Sequence, residues 1–209
     1  DCTGLTSVYI SSNVKTIGDR TFLGCTGLTS VVLPEGLERI NYWAFYSCSA
    51  LQSIHLPDSI TVMQEGVFAG CTKLASVNFP VSWTIKEDTA YSHQSPFAGC
   101  TGLKTMNVPE GVTKIPDRAF YGASLESISL PGTLTEIGGS AFRECAKLIK
   151  IQILKNVTSI GSNAFDNHNA KLTFYGETGS YAETYAKENS ISFSSDSFPE
   201  TLVTLSGRI

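Results

Sequence analysis

The chain has 209 residues, of which 42% are hydrophobic and 16% are charged, and its mean hydropathy is close to zero. This composition is that of a globular chain able to build a core without covalent staples. The net charge is −4, and no run of basic residues suited to neutralising phosphates is present, so nucleic acid is not an expected partner. Apolar runs are far shorter than the ~20 residues that span a bilayer, so membrane insertion is not expected either.

A short phrase that starts with cysteine recurs along the chain. It reads CTGLTSVYI, CTGLTSVVL, CSALQSIHL, CTKLASVNF and CTGLKTMNV, starting at Cys2, Cys25, Cys48, Cys71 and Cys100. The first four phrases are equally spaced and only the step to Cys100 is longer, which indicates an internal repeat. Seven units share the pattern L-x-x-Φ-x-Φ-P-x-x-Φ-x-x-Φ-x-x-x-A-F-x-x-C, where Φ is apolar, and they start at Leu5, Leu28, Leu51, Leu74, Leu103, Leu125 and Leu148.

Each unit predicts one coil of a solenoid, because so short a segment cannot bury its own apolar side. In the second unit, Val31 and Leu33 should point inward and Ser30 and Val32 outward, with the period of a short strand that Pro34 ends. Stacking would join such strands into a parallel sheet, and the polar stretch before each phenylalanine fits a short helical turn on the other side. The phenylalanines expected in the core are Phe22, Phe45, Phe68, Phe97, Phe120, Phe142 and Phe165.

This unit resembles that of the BspA-like (TpLRR-type) bacterial leucine-rich repeats, LxxIxIPxxVxxIGxxAFxxC, over roughly residues 1–193. The resemblance implies a right-handed leucine-rich-repeat solenoid. It also implies a role in adhesion to host matrix proteins or other cells, as part of a cell-surface or secreted protein. Departures are local: Ala123 and His168 stand where cysteine is expected, and the fourth unit carries six extra residues.

The repeat pattern lapses after Leu172, and residues 172–193 are predicted to form a C-terminal cap. Ser180 followed by Glu183 makes a capping box for an amphipathic helix, whose apolar stripe would include Tyr185. A short strand, Ile191 to Phe193, should follow. Residues 194–209 are expected to be a linker or tail, either packed back on the array or leading elsewhere. The first unit begins mid-phrase, so the native chain is expected to extend upstream.

Four cysteines, Cys25, Cys48, Cys71 and Cys100, occupy one position in successive units. Equivalent residues in stacked coils lie about 4.8 Å apart with parallel side chains, whereas a disulfide needs converging Cβ atoms about 3.8 Å apart. The pattern therefore predicts a ladder of buried free thiols. A metal site is not expected, because there is no C-x-x-C pair and a row of parallel thiols cannot make a tetrahedron.

No catalytic constellation is evident in the sequence. The three histidines lie in different coils, and although Ser53 and Asp58 flank His55, nothing supplies an oxyanion hole or a nucleophile elbow. His168 replaces a ladder cysteine and is interpreted as a core or edge filler. The sequence also lacks phosphate-binding glycine motifs, so no enzyme activity and no cofactor are predicted.

Surface features therefore remain as the functional candidates. The outward strand positions form two rows, one rich in serine and one containing Tyr9, His55, Asn78 and Asn107; such rows suit a curved sheet equally well without any partner. The oligomeric state is not predicted.

Large aromatic residues outside the core pattern are the other binding candidates. Tyr42 and Trp43 are expected on the turn side. The insertion from Trp83 to Pro96 adds Lys86, Tyr91 and His93 on a surface loop, which could equally be a tolerated insertion. The predicted function is non-enzymatic protein binding and adhesion, with a structural spacer or a carbohydrate-binding module as alternatives.

Overall fold

The computed structural model describes residues 1–84 and 95–199. They form a parallel-strand solenoid of about eight turns, closed by one short helix, as the repeat predicts. The insertion residues 85–94 and residues 200–209 lie outside the described part.

Two strands mark most coils. The first strands of the coils, together with the last strand of the chain, are β1 (Ser7–Tyr9), β3 (Ser30–Val32), β5 (Ser53–Ile54), β7 (Ser76–Val77), β8 (Thr105–Asn107), β10 (Ser127–Ser129), β12 (Lys150–Gln152), β14 (Thr173–Tyr175) and β15 (Ser192–Ser194). The second strands are β2 (Thr16–Ile17), β4 (Arg39–Ile40), β6 (Val62–Met63), β9 (Lys114–Ile115), β11 (Glu136–Ile137) and β13 (Ser159–Ile160).

The strands pair in parallel and in register with the repeat. Ser7 pairs with Ser30, and β8, β10, β12, β14 and β15 form one continuous sheet. Val31 and Leu33 are buried while Ser30 and Val32 are exposed, which confirms the predicted alternation.

The side opposite the first strands consists of successive hydrogen-bonded turns rather than continuous helix. The Cys25 amide donates to the Phe22 carbonyl within its own coil at 3.1 Å, and the Phe22 amide donates to the Ala44 carbonyl of the next coil at 2.8 Å. Left-handed residues recur at fixed positions, as at Trp43 and Gly66, with φ of 53° and 65°. These bends turn the chain and align its amides with the carbonyls of the next coil.

A column of phenylalanines runs along the centre of this side. Phe45 and Phe68 have ring centroids 5.5 Å apart and an interplanar angle of 12°, and neighbouring pairs stack at 5.1 to 6.0 Å. Phe22 is partly buried, while the other six members of the column are fully buried or nearly so. This column and the buried aliphatic residues in and beside the strands form the core.

The predicted cap is present as helix α1 (Tyr181–Glu188) followed by β15. Ser180 accepts a hydrogen bond from the Glu183 amide, and the Glu183 carboxylate accepts one from the Gly179 amide at 2.6 Å. Ala182 and Ala186 are buried against the last coils, whereas Tyr181 is exposed. The helix thus covers the end of the core with small side chains.

Tyr185 of α1 extends the aromatic column beyond the last repeat. Its ring stacks on Phe174 at 6.2 Å and meets Phe165 edge-on at 6.1 Å. Its hydroxyl also lies beside the Phe165 backbone amide. In interior coils the equivalent amide donates to a carbonyl of the next coil, as Phe22 does to Ala44, so Tyr185 lies where a further coil would pack.

Candidate functional site: the strand face

The outward side of the first strands forms a continuous surface, here called the strand face. It carries two rows of side chains, set by the parallel register of the strands. The first row is Ser7, Ser30, Ser53, Ser76, Thr105, Ser127, Lys150 and Thr173. The second row is Tyr9, Val32, His55, Asn78, Asn107, Ser129, Gln152 and Tyr175.

The strand face is most open at its N-terminal end. Tyr9 and Val32 are register partners on β1 and β3, and they are 78% and 56% exposed. His55 is also exposed, in the same row just after β5. An aromatic, an aliphatic and an imidazole side chain therefore follow one another along this row.

Asn78, in contrast, is occupied by a structural role. Its side-chain oxygen accepts a hydrogen bond from the Leu56 amide at 2.7 Å, and its side-chain nitrogen donates to the Leu56 carbonyl at 2.8 Å. The side chain thus pairs with the backbone of the preceding coil where a strand would. Asn78 therefore lies in the predicted outward row but is half-buried and bonded to the preceding coil, whereas Asn107 is exposed.

The C-terminal end of the strand face is more enclosed. Ser127 is only 5% exposed although Ser30, Ser53 and Ser76 in the same row are exposed. Ser129 donates a hydrogen bond to Gln152 at 3.0 Å. At this end of the strand face, polar side chains form hydrogen bonds with one another, as Ser129 does with Gln152.

The two aromatic residues predicted on the turn side are not exposed anchors. Tyr42 is 8% exposed, and its ring lies 5.9 Å from that of Trp43. Trp43 is half-buried, because Arg20 stacks over one side of the indole at 4.9 Å and Gly66 of the next coil lies against the ring. Residues of the two neighbouring coils thus cover the Trp43 ring, and Tyr42 is buried beside it.

Trp83 is also not on the surface, being 3% exposed. It lies one regular repeat after Ile60 and fills the same inward position, packing against Phe79 at 4.9 Å and Phe97 at 6.1 Å. Its indole N–H donates to the Met63 carbonyl at 3.2 Å. The prediction that Trp83 belongs to an exposed loop is wrong, because the regular coil continues through Thr84.

The remaining residues predicted for the insertion, Lys86, Tyr91 and His93, lie outside the described residues. The described chain resumes at Ser95, which is buried and accepts a hydrogen bond from the Phe97 amide at 3.0 Å. The coil is therefore back in register by Phe97.

The cysteine ladder has the geometry of free thiols. Cys25, Cys48, Cys71, Cys100 and Cys145 are buried and unbridged, and Cys2 is exposed. From Cys48 onward, each Sγ donates to a phenylalanine carbonyl of the preceding coil, as in Cys71 to Phe45 at 3.2 Å and Cys100 to Phe68 at 3.1 Å. A disulfide would remove the hydrogen that each thiol donates.

Burial also keeps these thiols protonated. It raises the pKa of Cys48, Cys100 and Cys145 from 9 to about 12, and it raises the pKa of Cys71 as well. Because the thiolate is the nucleophile and metal ligand, these side chains are suited to packing rather than to chemistry.

His168, which replaces a ladder cysteine in the last repeat, binds the backbone. Its Nδ1 lies 2.9 Å from the Phe165 carbonyl oxygen. Since a carbonyl oxygen can only accept, Nδ1 carries the hydrogen in this contact. In interior coils, the thiol of the following coil donates to the equivalent carbonyl, so the imidazole takes over that role.

Neither a cluster of metal-ligating side chains nor a membrane-spanning helix occurs in the part of the chain that the structure describes. Across residues 1–84 and 95–199, no three His, Cys, Asp or Glu side chains cluster as a metal site would require. No helix within the described part of the chain is long and apolar enough to cross a membrane.

The residues that sequence reasoning missed are at the far end of the strand face. Tyr175 on β14 continues the second row, and Phe198 lies against it with ring centroids 5.5 Å apart. The repeat pattern lapses after Leu172 and so gives no signal for Tyr175, although the T-F-Y alternation of β14 would extend the row.

Stacked coils with a shaped polar face and a sealed core define a repeat-solenoid scaffold of the leucine-rich-repeat class. The family model described as "BspA type leucine rich repeat region" matches the chain in six copies, over residues 1–95 and 82–194. The chain therefore belongs to the BspA-type leucine-rich repeat family.

Solved structures of bacterial leucine-rich repeat proteins share the fold. The leucine-rich repeat protein of T. pallidum (TpLRR) is 26% identical, with a TM-score of 0.60, and the match covers 77% of this chain and 75% of that one. A leucine-rich repeat protein of Eubacterium ventriosum is 28% identical, with a TM-score of 0.62. That match covers 78% of this chain but only 43% of the other, so this chain spans less than half of that protein. A search of curated protein sequences gave no match.

Proposed function

We propose that this chain is a non-enzymatic protein-binding module of a cell-surface or secreted bacterial protein, and that it mediates adhesion to a host matrix protein or another cell surface. Membership of the BspA-type repeat family supports this role, because the resemblance to that family implies adhesion to host matrix proteins or other cells. The protonated thiols and the packed core leave the outer surface as the part of the described molecule available for interaction.

The observation that carries the proposal is the open N-terminal end of the strand face. Tyr9 and Val32 are exposed on a sheet whose other outward residues are mostly small and polar. Burying both side chains against a partner would remove apolar area from water without reordering the backbone, because parallel strands already hold them in place. Tyrosine is also among the residues enriched at interaction hot spots.

The test compares attachment of the wild type with that of the double variant Tyr9→Ser, Val32→Ser. Serine occupies this row at Ser129, so the fold should tolerate both changes. Purified extracellular matrix proteins and intact cells are each added to the immobilised chain. Surface plasmon resonance measures the bound matrix proteins, and microscopy counts the attached cells. We expect attachment to fall roughly tenfold or more, as for loss of two central contacts.

The matched control is Ile149→Thr. Ile149 is an exposed apolar residue just before β12, and Thr6 and Thr29 occupy the equivalent position in the first two coils. This variant should attach like the wild type. Undiminished attachment of the double variant would contradict the strand face as contact site and favour the insertion with Lys86, Tyr91 and His93. A wild type that attaches to nothing would favour the structural spacer.

A further inference from the structure

The chain turns back on itself after its last strand. The Ser194 hydroxyl donates to the Asp196 carboxylate at 2.9 Å, and the Asp196 amide donates to the Ser194 oxygen at 3.1 Å. This local turn reverses the direction of the chain. Residues 195–199, here called the strap, then cross the strand face instead of leaving the array.

The strap is anchored by an aromatic residue and the proline that follows it. The Phe198 ring meets Tyr175 edge-on, with centroids 5.5 Å apart and an interplanar angle of 85°. The ammonium of Lys150 lies 5.4 Å from the Phe198 ring centroid and donates a hydrogen bond to the Pro199 carbonyl at 2.6 Å. One lysine therefore holds both the aromatic ring and the following carbonyl.

The anchoring residues belong to the strand face itself. Lys150 continues the serine row on β12, and Tyr175 continues the row of Tyr9 on β14. The two tyrosines of that row differ in exposure, since the Tyr9 side chain is exposed and the Tyr175 side chain is half-buried. The contacts that anchor the strap are with the outward side chains of β12 and β14. A segment can therefore bind at this place without pairing with a free edge of the sheet.

We propose that the seat formed by Lys150 and Tyr175 is a binding site for an extended segment in which an aromatic residue is followed by proline. The strap fills the seat in cis and competes with such a segment of a partner protein. This inference rests on the proposed function and adds to it the chemistry of the partner and a means of control.

The geometry explains the required sequence of the occupant. An aromatic ring in the position of Phe198 packs perpendicular to the Tyr175 ring and is also attracted to the Lys150 ammonium. Proline after the aromatic residue favours an extended backbone and has no amide N–H to leave without a partner, while its carbonyl reaches the same ammonium. A partner lacking either residue would lose one of these contacts.

The test uses a fluorescein-labelled synthetic peptide of residues 195–201, SDSFPET, titrated by anisotropy with the purified full-length chain. Phe198 lies outside the repeat strands, so F198A should retain the fold while freeing the seat. A segment held in cis acts at about millimolar effective concentration. We therefore expect F198A to bind the peptide roughly tenfold or more tightly than the wild type does.

Further variants identify the seat. In the F198A background, Tyr175→Ser and Lys150→Thr introduce residues that already occupy the same rows at Ser129 and Thr173, and each should abolish the gain. Lys147→Ala removes an exposed lysine outside the strand face and should leave the gain intact. A peptide with alanine in place of the phenylalanine should bind none of the proteins.

Three outcomes would each overturn the inference. They are equal binding of the peptide by the wild type and F198A, no saturable binding by either at up to about millimolar protein, and a gain in affinity that survives both seat variants. These titrations use a defined peptide and purified protein. Their failure would leave the attachment experiment with Tyr9 and Val32 unaffected, so the inference and the proposed function can fail separately.

Discussion

At the scale of single residues, the buried thiols give the fold a dependence on alkaline pH. The pKa of Cys48 and Cys100 is about 12 in the folded protein, against 9 for an accessible thiol. Between these values, the unfolded chain loses thiol protons that the folded chain keeps, so the free energy of unfolding falls as pH rises. Below pH 9 both states are protonated, and this contribution to stability is fully present.

The prediction is that replacing Cys48 and Cys100 by alanine flattens this decline. Alanine stands in the ladder at Ala123, so the fold should accept it, at some cost in packing at pH 7. Each thiol removed should take away up to about 1.4 kcal/mol per pH unit of slope between pH 9 and 12. Urea unfolding at pH 8, 9, 10 and 11 under reducing conditions measures it. Parallel slopes for variant and wild type would show that these thiols do not titrate on unfolding.

A second residue-scale prediction concerns the glycine beneath Trp43. Gly66 and Gly122 have nearly the same left-handed φ, 65° and 64°. A Cβ at Gly66 would lie 2.5 Å from the indole, whereas one at Gly122 would meet nothing within 4 Å. Both Gly→Ala changes should cost about 1–2 kcal/mol for the backbone conformation, and Gly66→Ala should cost at least about 1 kcal/mol more. Chemical denaturation of the two variants decides it, and equal losses would refute the contact.

The position of Trp83 is predictable by counting along the repeat, because it lies one period after Ile60. Its assignment to the surface follows instead from its aromatic character and from the extra residues of the fourth unit. Tyr42 cannot be placed by counting, since the equivalent residues in other coils include Asp19 and Asp117. The repeat pattern therefore does not specify that Tyr42 is buried beside the adjacent Trp43 ring.

At the scale of elements, the strands and the cap follow from local patterns. Alternation predicts the first strands, and the Ser180 and Glu183 pair predicts the start of α1. The course of a segment that is positioned by tertiary contacts alone cannot be predicted from local sequence patterns. The strap is the clearest case, because its position depends on the pairing of Phe198 with Tyr175, which lies on the far side of α1 and β15 in the sequence.

The cap offers the element-scale prediction. Tyr185→Phe keeps the ring that stacks on Phe174 but removes the hydroxyl that lies beside the Phe165 amide. If this hydroxyl satisfies the buried amide, its loss should cost about 1–3 kcal/mol of unfolding free energy. Tyr181→Phe, which removes an exposed hydroxyl from the same helix, should cost almost nothing. Equal effects of the two changes in thermal unfolding would mean that the hydroxyl does not cap the amide ladder.

At the scale of the whole molecule, a solenoid is only as continuous as the contacts between adjacent coils. In the described residues, the sheet of first strands is interrupted between β3 and β5 and again, at the fourth unit, between β7 and β8. The phenylalanine column continues through this point, with Phe68, Phe97 and Phe120 stacked at 6.0 and 5.9 Å. The fourth coil therefore depends on its core stack and on its remaining bonds to the coil before it.

The Asn78 amide is one of those bonds, since it pairs with both backbone groups of Leu56. Asn78→Ala should therefore loosen the fourth coil before the rest of the array, because local openings in a solenoid start at its weakest contact. Native-state hydrogen exchange should show lost protection in β5 and β7, equivalent to about 1–3 kcal/mol, and unchanged protection in β12 and β14. Asn107→Ala, an exposed asparagine in the same row one coil later, should change neither region. Uniform loss of protection along the chain would show that the array opens as one unit, in which case the interruption between β7 and β8 does not divide its stability.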